Sequence, residues 1–261
     1  DLHLSIRRQR QMCIRDRCEQ DGLEPMSINP VVGECNDSRI NQIQKRVVGA
    51  DEVRQAFASA SEEFEEGDVG AGAGTICYGL KGGIGSASRV IRIGEKEYTI
   101  GVLVQSNFGA TEDFVLNGES VGAKILDWKQ EKDDMAASEE DKGSIMSILA
   151  TDLPLTSRQL RRILRRTGVG IARTGGYTGH GSGEVMIGFT TANRIPSGAE
   201  EELLQIQAIP EHVINRAFLA AAEAEQEAIL NSMTAAERTR GQAGELYYSL
   251  SEYLEDQDSK Q

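Results

Sequence analysis

The sequence predicts a layered α/β fold with sheet at the centre and helices outside. Three observations support this. Strand-like and helix-like patterns alternate through both halves of the chain with no internal repeat. The strand candidates are short apolar runs closed by Gly, Asp or Pro. The helix candidates carry apolar residues at 3.6-residue spacing, and 261 residues give ample length for a packed core.

The elements follow in chain order. Residues 51–66 place Val53, Ala56, Phe57, Ala60 and Phe64 at helical spacing behind an Asp51 cap, with Gly67 as the stop. Gly70-Ala71-Gly72-Ala73-Gly74 and Lys81-Gly82-Gly83-Ile84-Gly85 mark backbone that turns sharply or approaches something closely. Residues 90–105 read as two strands around Gly94-Glu95, and Asn117-Gly118 is a hairpin signal. Residues 129–142 are highly charged, with too little apolar surface to offset their ordering entropy, and read as a solvated loop. Residues 145–150 are a buried strand, and a helix capped by Thr156 follows. Its five arginines, Arg158 to Arg166, read as a solvated face with intersubunit contacts. Residues 184–191 form another strand. Residues 211–233 and 234–255 read as helices, the second capped by Thr234.

A net charge of −13 and a pI near 4.8 exclude nucleic acid as a natural partner. No run approaches the ~20 apolar residues of a membrane span. Cys13, Cys18, Cys35 and Cys77 lack metal-ligand spacing, so no metal is expected, and thiols of this kind fit a cytoplasmic protein. The first seventeen residues hold five arginines against two acids, unlike the acidic remainder. With no apolar h-region they do not form a secretory signal. The string Gln11-Met12-Cys13-Ile14-Arg15-Asp16-Arg17 resembles translated adapter read-through. A non-native or disordered leader over residues 1–24 is therefore expected.

Gly143-Ser144 is the most informative point. It joins the charged loop to the apolar strand, where a chain could cut itself and use the new N-terminus. The freed α-amine, with an unperturbed pKa of roughly 7.7–8.0, would stand beside its own hydroxyl as a base poised near neutral pH. Gly-Ser also recurs at Gly85-Ser86 and Gly181-Ser182, so the dipeptide alone decides nothing. His3, His180 and His212 offer no persuasive partner for a His-dependent serine hydrolase. The glycine loops invite a nucleotide-binding reading, but Thr75 and Ser88 stand where G-x-G-x-x-G needs its last glycine.

Several segments then stand in a recognisable order: Pro30-Val31-Val32-Gly33-Glu34, Gly70-Ala71-Gly72-Ala73-Gly74-Thr75, residues 81–90, Val102-Leu103-Val104-Gln105-Ser106-Asn107-Phe108-Gly109, Gly143-Ser144, residues 150–155, Ala172-Arg173-Thr174-Gly175 and Gly181-Ser182-Gly183-Glu184. Over residues 25–195 this resembles the self-processing aminopeptidases of the DmpA type, which include L-aminopeptidase/D-Ala-esterases and β-peptidyl aminopeptidases. The resemblance implies an αββα sandwich of the N-terminal-nucleophile-hydrolase, DmpA/ornithine-acetyltransferase-like kind. It implies one composite domain, with residues 25–143 ending the larger chain and 144–261 forming the smaller.

The resemblance also assigns roles. Ser144 is the nucleophile, Asn107 the oxyanion donor, Ser182 and Glu184 the pair that orients the serine and its amine, and Glu34 the acid that holds the substrate ammonium. On residue grounds alone Glu34 is an ordinary surface acid, Asn107 a turn residue, and Ser182 with Glu184 a strand start. Cys35-Asn36-Asp37-Ser38 departs from the aromatic residue and glycine often found in the family, which leaves the substrate side chain open. Part of the family's larger chain has no counterpart, so a truncated sequence is expected. The expected partner is a short peptide or amino-acid amide, the expected assembly a homo-oligomer, a tetramer by resemblance, and no cofactor is needed. The alternatives are an ornithine-acetyltransferase-like acyl transferase, whose nucleophile is usually Thr, and a glycine-loop nucleotide-binding module.

Overall fold

A computed structural model describes residues 2–25, 27–132, 143–195 and 203–260. The chain divides into two units. The first, Asp1–Glu34 with Gln42–Glu65, contains helices α1 (Leu2–Gln20) and α2 (Ala50–Ala58). Within it the Cys13 thiol donates to the Ala50 carbonyl at 3.7 Å. Helix α2 is shorter than its pattern predicts. Its cap is Gly49, not Asp51, and the Gly49 N–H donates to the Glu52 carboxylate at 2.7 Å. It ends at Ala58, where Ser59 and Ser61 turn their hydroxyls onto the carbonyls of Ala56 and Glu63. Such local bonds offer the backbone an alternative to the helix.

The second unit is Cys35–Asn41 with Glu66–Gln261. After a short hairpin, β1 (Ile76–Cys77) and β2 (Leu80–Lys81), come β3 (Ile84–Ile93) and β4 (Lys96–Asn107), joined at Gly94 as the sequence predicts. A second small hairpin, β5 (Val115–Leu116) and β6 (Glu119–Ser120), turns at Asn117 and Gly118. Both residues are left-handed, at φ 51° and 84°, as a two-residue hairpin loop requires. Helix α3 (Gly122–Glu131) follows, then β7 (Ser144–Thr151), α4 (Ser157–Leu164), α5 (Thr167–Arg173) and β8 (Gly183–Thr190). The long α6 (Ile214–Thr234), the hairpin β9 (Thr239–Arg240) and β10 (Leu246–Tyr247), and α7 (Leu250–Ser259) complete the unit.

The main sheet has the order β3-β4-β7-β8. Its first two pairings are antiparallel and β7-β8 is parallel, which demands the crossover that α4 and α5 supply. Val102, Val104 and Leu149 face helix α6, whose buried face is largely alanine: Ala217, Ala220, Ala221, Ala224 and Ala228. Small side chains let helix and sheet approach closely. A Cβ on Gly85 of β3 would lie 2.1 Å from the Ala228 carbonyl, so only glycine fits there. Within the second unit, α6 thus covers one face of the four-stranded sheet. By strand alternation the other face carries Leu103, Met146 and Ile148, with Val185 and Phe189 exposed.

Thr156 caps α4 as expected, accepting from the Gln159 N–H. Two of the arginines that follow are pinned. Arg158 and Arg162 both pair with Glu211, and Arg166 lies 3.9 Å above the Phe218 ring. Two expectations are corrected. Residues 234–255 are not one helix. Thr234 ends α6 with its hydroxyl donating back to Leu230, Gly241 and the left-handed Gly244 turn the β9-β10 hairpin, and Ser249 with Glu252 caps α7 in a reciprocal box. Lys129 is not in a solvated loop. It belongs to α3, is buried, and donates to the Gly79 carbonyl. Of the rest of that stretch, Gln130 and Glu131 also belong to α3, and residues 133–142 lie outside those described.

Beneath β7, Glu225 of α6 is fully buried and accepts a 2.5 Å bond from Ser147 Oγ. Burial pushes its carboxyl up to about 8, so it is neutral at pH 7. A folded pKa above the unfolded one means stability that is complete below pH 4.5 and is lost as pH rises through about 8. Glu225→Gln, neutral throughout, should remove this fall. Its melting temperature at pH 8.5 is expected to exceed the wild type's by at least about 4 °C, with little difference at pH 4.5. Thermal melts across pH check this, and a variant less stable than wild type at pH 8.5 would contradict it.

Candidate active site

Ser144 opens β7 at the end of the main sheet, and two neighbours meet it there. Asn107, the last residue of β4, is its register partner on one side, and Gly183, the first of β8, on the other. The Gly183 N–H donates to the Gly143 carbonyl at 3.1 Å, so the peptide preceding Ser144 is already polarised. Gly143 is required by close approach. A Cβ there would stand 2.0 Å from the Asn107 carbonyl oxygen and 2.6 Å from Phe108 Cα.

Asn107 is buried, and its amide is fixed from both ends. Oδ1 accepts from the Ile76 N–H at 3.0 Å and Nδ2 donates to the Asn36 carbonyl at 3.2 Å. These bonds define which end of the amide donates. Ile76 lies just past the first glycine segment. That segment is tied to β4 a second time, where Gln105 Nε2 donates to the Ala71 carbonyl at 2.7 Å. Cys35 lies beside Asn36, buried, with its thiol 3.5 Å from the Ser144 carbonyl and 3.6 Å from that of Gln105.

Ser182 Oγ donates to the Glu184 carboxylate at 2.6 Å, so the pair does share a face. Glu184 is the register partner of Ile145, one residue past Ser144. By alternation it stands on the α6 side of the sheet, whereas the Ser144 side chain points to the opposite side. The carboxylate and the Ser144 hydroxyl therefore lie on opposite faces of the sheet. Glu34 is exposed and belongs to the first unit. Ser144, Asn107, Gly143, Ser182 and Glu184 thus gather at one sheet end.

Residues the sequence reading left without a role also gather here. Ile76 and Asn36 hold Asn107 by backbone groups, which no side-chain pattern reveals. Lys81 is fully buried, and its ammonium donates to the carbonyls of Gly72 (2.7 Å), Thr75 (3.1 Å) and Gly82 (2.7 Å). Burial lowers it to about 8, with Asp68 and Asp37 opposing the fall. The available signal was a lysine set against two glycines. The glycine loop itself is no phosphate cradle. Its N–H groups at Gly72, Ala73 and Thr75 donate to Val69, Gly70 and Gly72 carbonyls, whereas anion sites turn such groups outward. Among the described residues no group of three metal-ligating side chains is found, and no helix is long and apolar enough to cross a membrane.

Comparisons with known proteins place the chain as a whole. The model of peptidase family S58 matches residues 5–247. The β-peptidyl aminopeptidase BapA of Sphingosinicella xenopeptidilytica is 36% identical over 220 residues, 81% of this chain and 55% of that protein. The chain therefore spans about half the length of the curated relatives it matches. The L-aminopeptidase D-Ala-esterase/amidase from Ochrobactrum anthropi, described as a variant of the Ntn hydrolase fold, superposes with a TM-score of 0.83 at 32% identity, covering 97% of this chain and 69% of that one. The PH0078 protein of Pyrococcus horikoshii OT3 gives 0.81 at 45%, covering 93% and 65%. A family match over nearly the whole sequence, with a fold shared with an Ntn-hydrolase aminopeptidase, establishes that the chain belongs to peptidase family S58.

Proposed function

We propose that this chain belongs to a self-processing serine aminopeptidase that removes N-terminal residues from short peptides, amides or esters. The observation that carries the reading is the meeting of Ser144 with Asn107, behind a Gly143 carbonyl held by the Gly183 N–H. In processing, Ser144 Oγ attacks the Gly143 carbonyl carbon and the acyl group moves from nitrogen to oxygen. Water then hydrolyses the ester, leaving a Gly143 carboxylate and a free Ser144 α-amine. In turnover that amine takes the hydroxyl proton as Oγ attacks the substrate carbonyl, and Asn107 Nδ2–H stabilises the oxyanion. The protonated amine gives its proton to the leaving group, and water resolves the acyl-enzyme. Ser182 and Glu184 hold the α-amine from the far side of the strand, much as the third member of a triad orients its base. This chemistry uses no cofactor. Peptidase relatives that are themselves aminopeptidases support the substrate class, and a cytoplasmic homo-oligomer, a tetramer by resemblance, completes the reading.

Glu34 decides between an aminopeptidase and a general amidase. If its carboxylate pairs with the substrate ammonium, Glu34→Gln should lower kcat/KM on free-amine substrates by more than about tenfold, because a partly desolvated pair exceeds the ~0–1 kcal/mol of a surface pair. N-acetylated substrates should be spared, and the variant should still cut itself. Steady-state kinetics on matched aminoacyl p-nitroanilides test this. Equal losses on both substrate sets would contradict it.

A further inference from the structure

Two of the three bonds of the Lys81 ammonium, to Gly72 and Thr75, fall on the turn before Ile76, the partner of Asn107, and one of them has a consequence for the chemistry. The peptide unit between Thr75 and Ile76 is bound at both ends. Its carbonyl accepts from Lys81 Nζ at 3.1 Å and from the Gly82 N–H at 3.0 Å. Its N–H, on Ile76, donates to Asn107 Oδ1 at 3.0 Å. Asn107 is itself an amide, with Nδ2 as the donor at its other end. A continuous line of two amide dipoles therefore runs from a fully buried cation to the donor beside Ser144.

We infer that Lys81 is a positioning residue for the oxyanion hole, acting through the Thr75-Ile76 peptide to orient and polarise the Asn107 amide. Hydrogen-bonded chains strengthen one another in low dielectric, and the cation sits at the end where its field draws electron density away from Nδ2–H. That makes Nδ2–H a better donor to a developing negative charge than to a neutral carbonyl. The effect therefore falls on the transition state more than on substrate binding. A methionine of similar length would fill the space without the cost of burying a charge. The arrangement also locks the amide orientation, since Ile76 N–H cannot pair with an inverted Asn107.

The inference rests on the acyl-transfer reading of Ser144 and Asn107, and a double-mutant cycle separates the two. In the full-length protein Asn107→Ala should lower kcat by about 10²–10³-fold. Lys81→Met should lower kcat by roughly ten- to a hundredfold with KM nearly unchanged, a smaller loss than that of the donor itself. In the Asn107→Ala background it should cost less than about threefold more, because its route is gone. Equal Lys81→Met losses in both backgrounds, or none in either, would overturn the inference while leaving the reading of Asn107 intact. Full activity of Asn107→Ala would sink the reading and the inference with it.

Should Lys81→Met not fold, Ser144→Ala answers, because its uncut chain has no α-amine at residue 144 to titrate beside Asn107. Asp37 and Asp68 are the charged groups that act on Lys81. Glu225→Gln is added to that variant, which removes the other buried group that titrates at about 8. The Asn107 side-chain amide nitrogen resonance, followed from about pH 6 to about pH 10, should then shift as Lys81 loses its proton. A resonance indifferent to that titration would overturn the relay.

Discussion

Ser144→Ala should give a single uncut chain with peptidase activity reduced by roughly 10³-fold or more. One hydroxyl serves both steps. It opens the Gly143-Ser144 peptide, and it then attacks substrate. The position admits no substitute, since the neighbouring hydroxyl at Ser147 faces α6 and is committed to Glu225. Ser182 is likewise committed, to Glu184. Ser144→Cys should retain processing, because a thiolate is intrinsically more nucleophilic. A denaturing gel and a turnover assay suffice, and substantial turnover by the alanine variant would place the nucleophile elsewhere.

Gly143→Ala should block processing almost as completely while leaving a preformed site active. Its Cβ would fall 2.0 Å from the Asn107 carbonyl, inside any allowed contact. Either the ends of β4 and β7 separate, or the peptide swings away from the Gly183 N–H that polarises it. Both outcomes remove the alignment an N→O shift needs, and slowing by about 10²-fold is expected for a misplacement of this size. The two pieces, co-expressed with the break already made, should hydrolyse substrate normally, since the flaw lies only in the scissile peptide. Normal processing by Gly143→Ala would show that this close approach is not required.

Much of this arrangement was legible in the sequence. The apolar run after Ser144 and the alternation around Gly94-Glu95 gave β7, β3 and β4, because strand burial writes itself into side-chain type. Ser182 and Glu184 could be placed on one face by counting. The helix expected over 234–255 failed where local turn and cap signals override periodicity: two glycines open a hairpin, and the capping box at Ser249 and Glu252 restarts the helix. Lys129 misled because its charge suggested solvent, whereas a backbone carbonyl at Gly79 receives it. The partners of Asn107 were hidden for a different reason. They are backbone groups of Ile76 and Asn36, brought to it from 31 and 71 residues away. Composition carries no trace of such contacts. Lys81 was visible as a residue but not as a buried cation, since only the closed turn reveals three carbonyls converging on it.

Self-cleavage is the central claim, and the mass of the purified wild-type protein tests it most directly. The account predicts two polypeptides whose masses place the break between Gly143 and Ser144, the smaller beginning with an unblocked serine. A single uncut chain that hydrolyses peptides at full rate would contradict it.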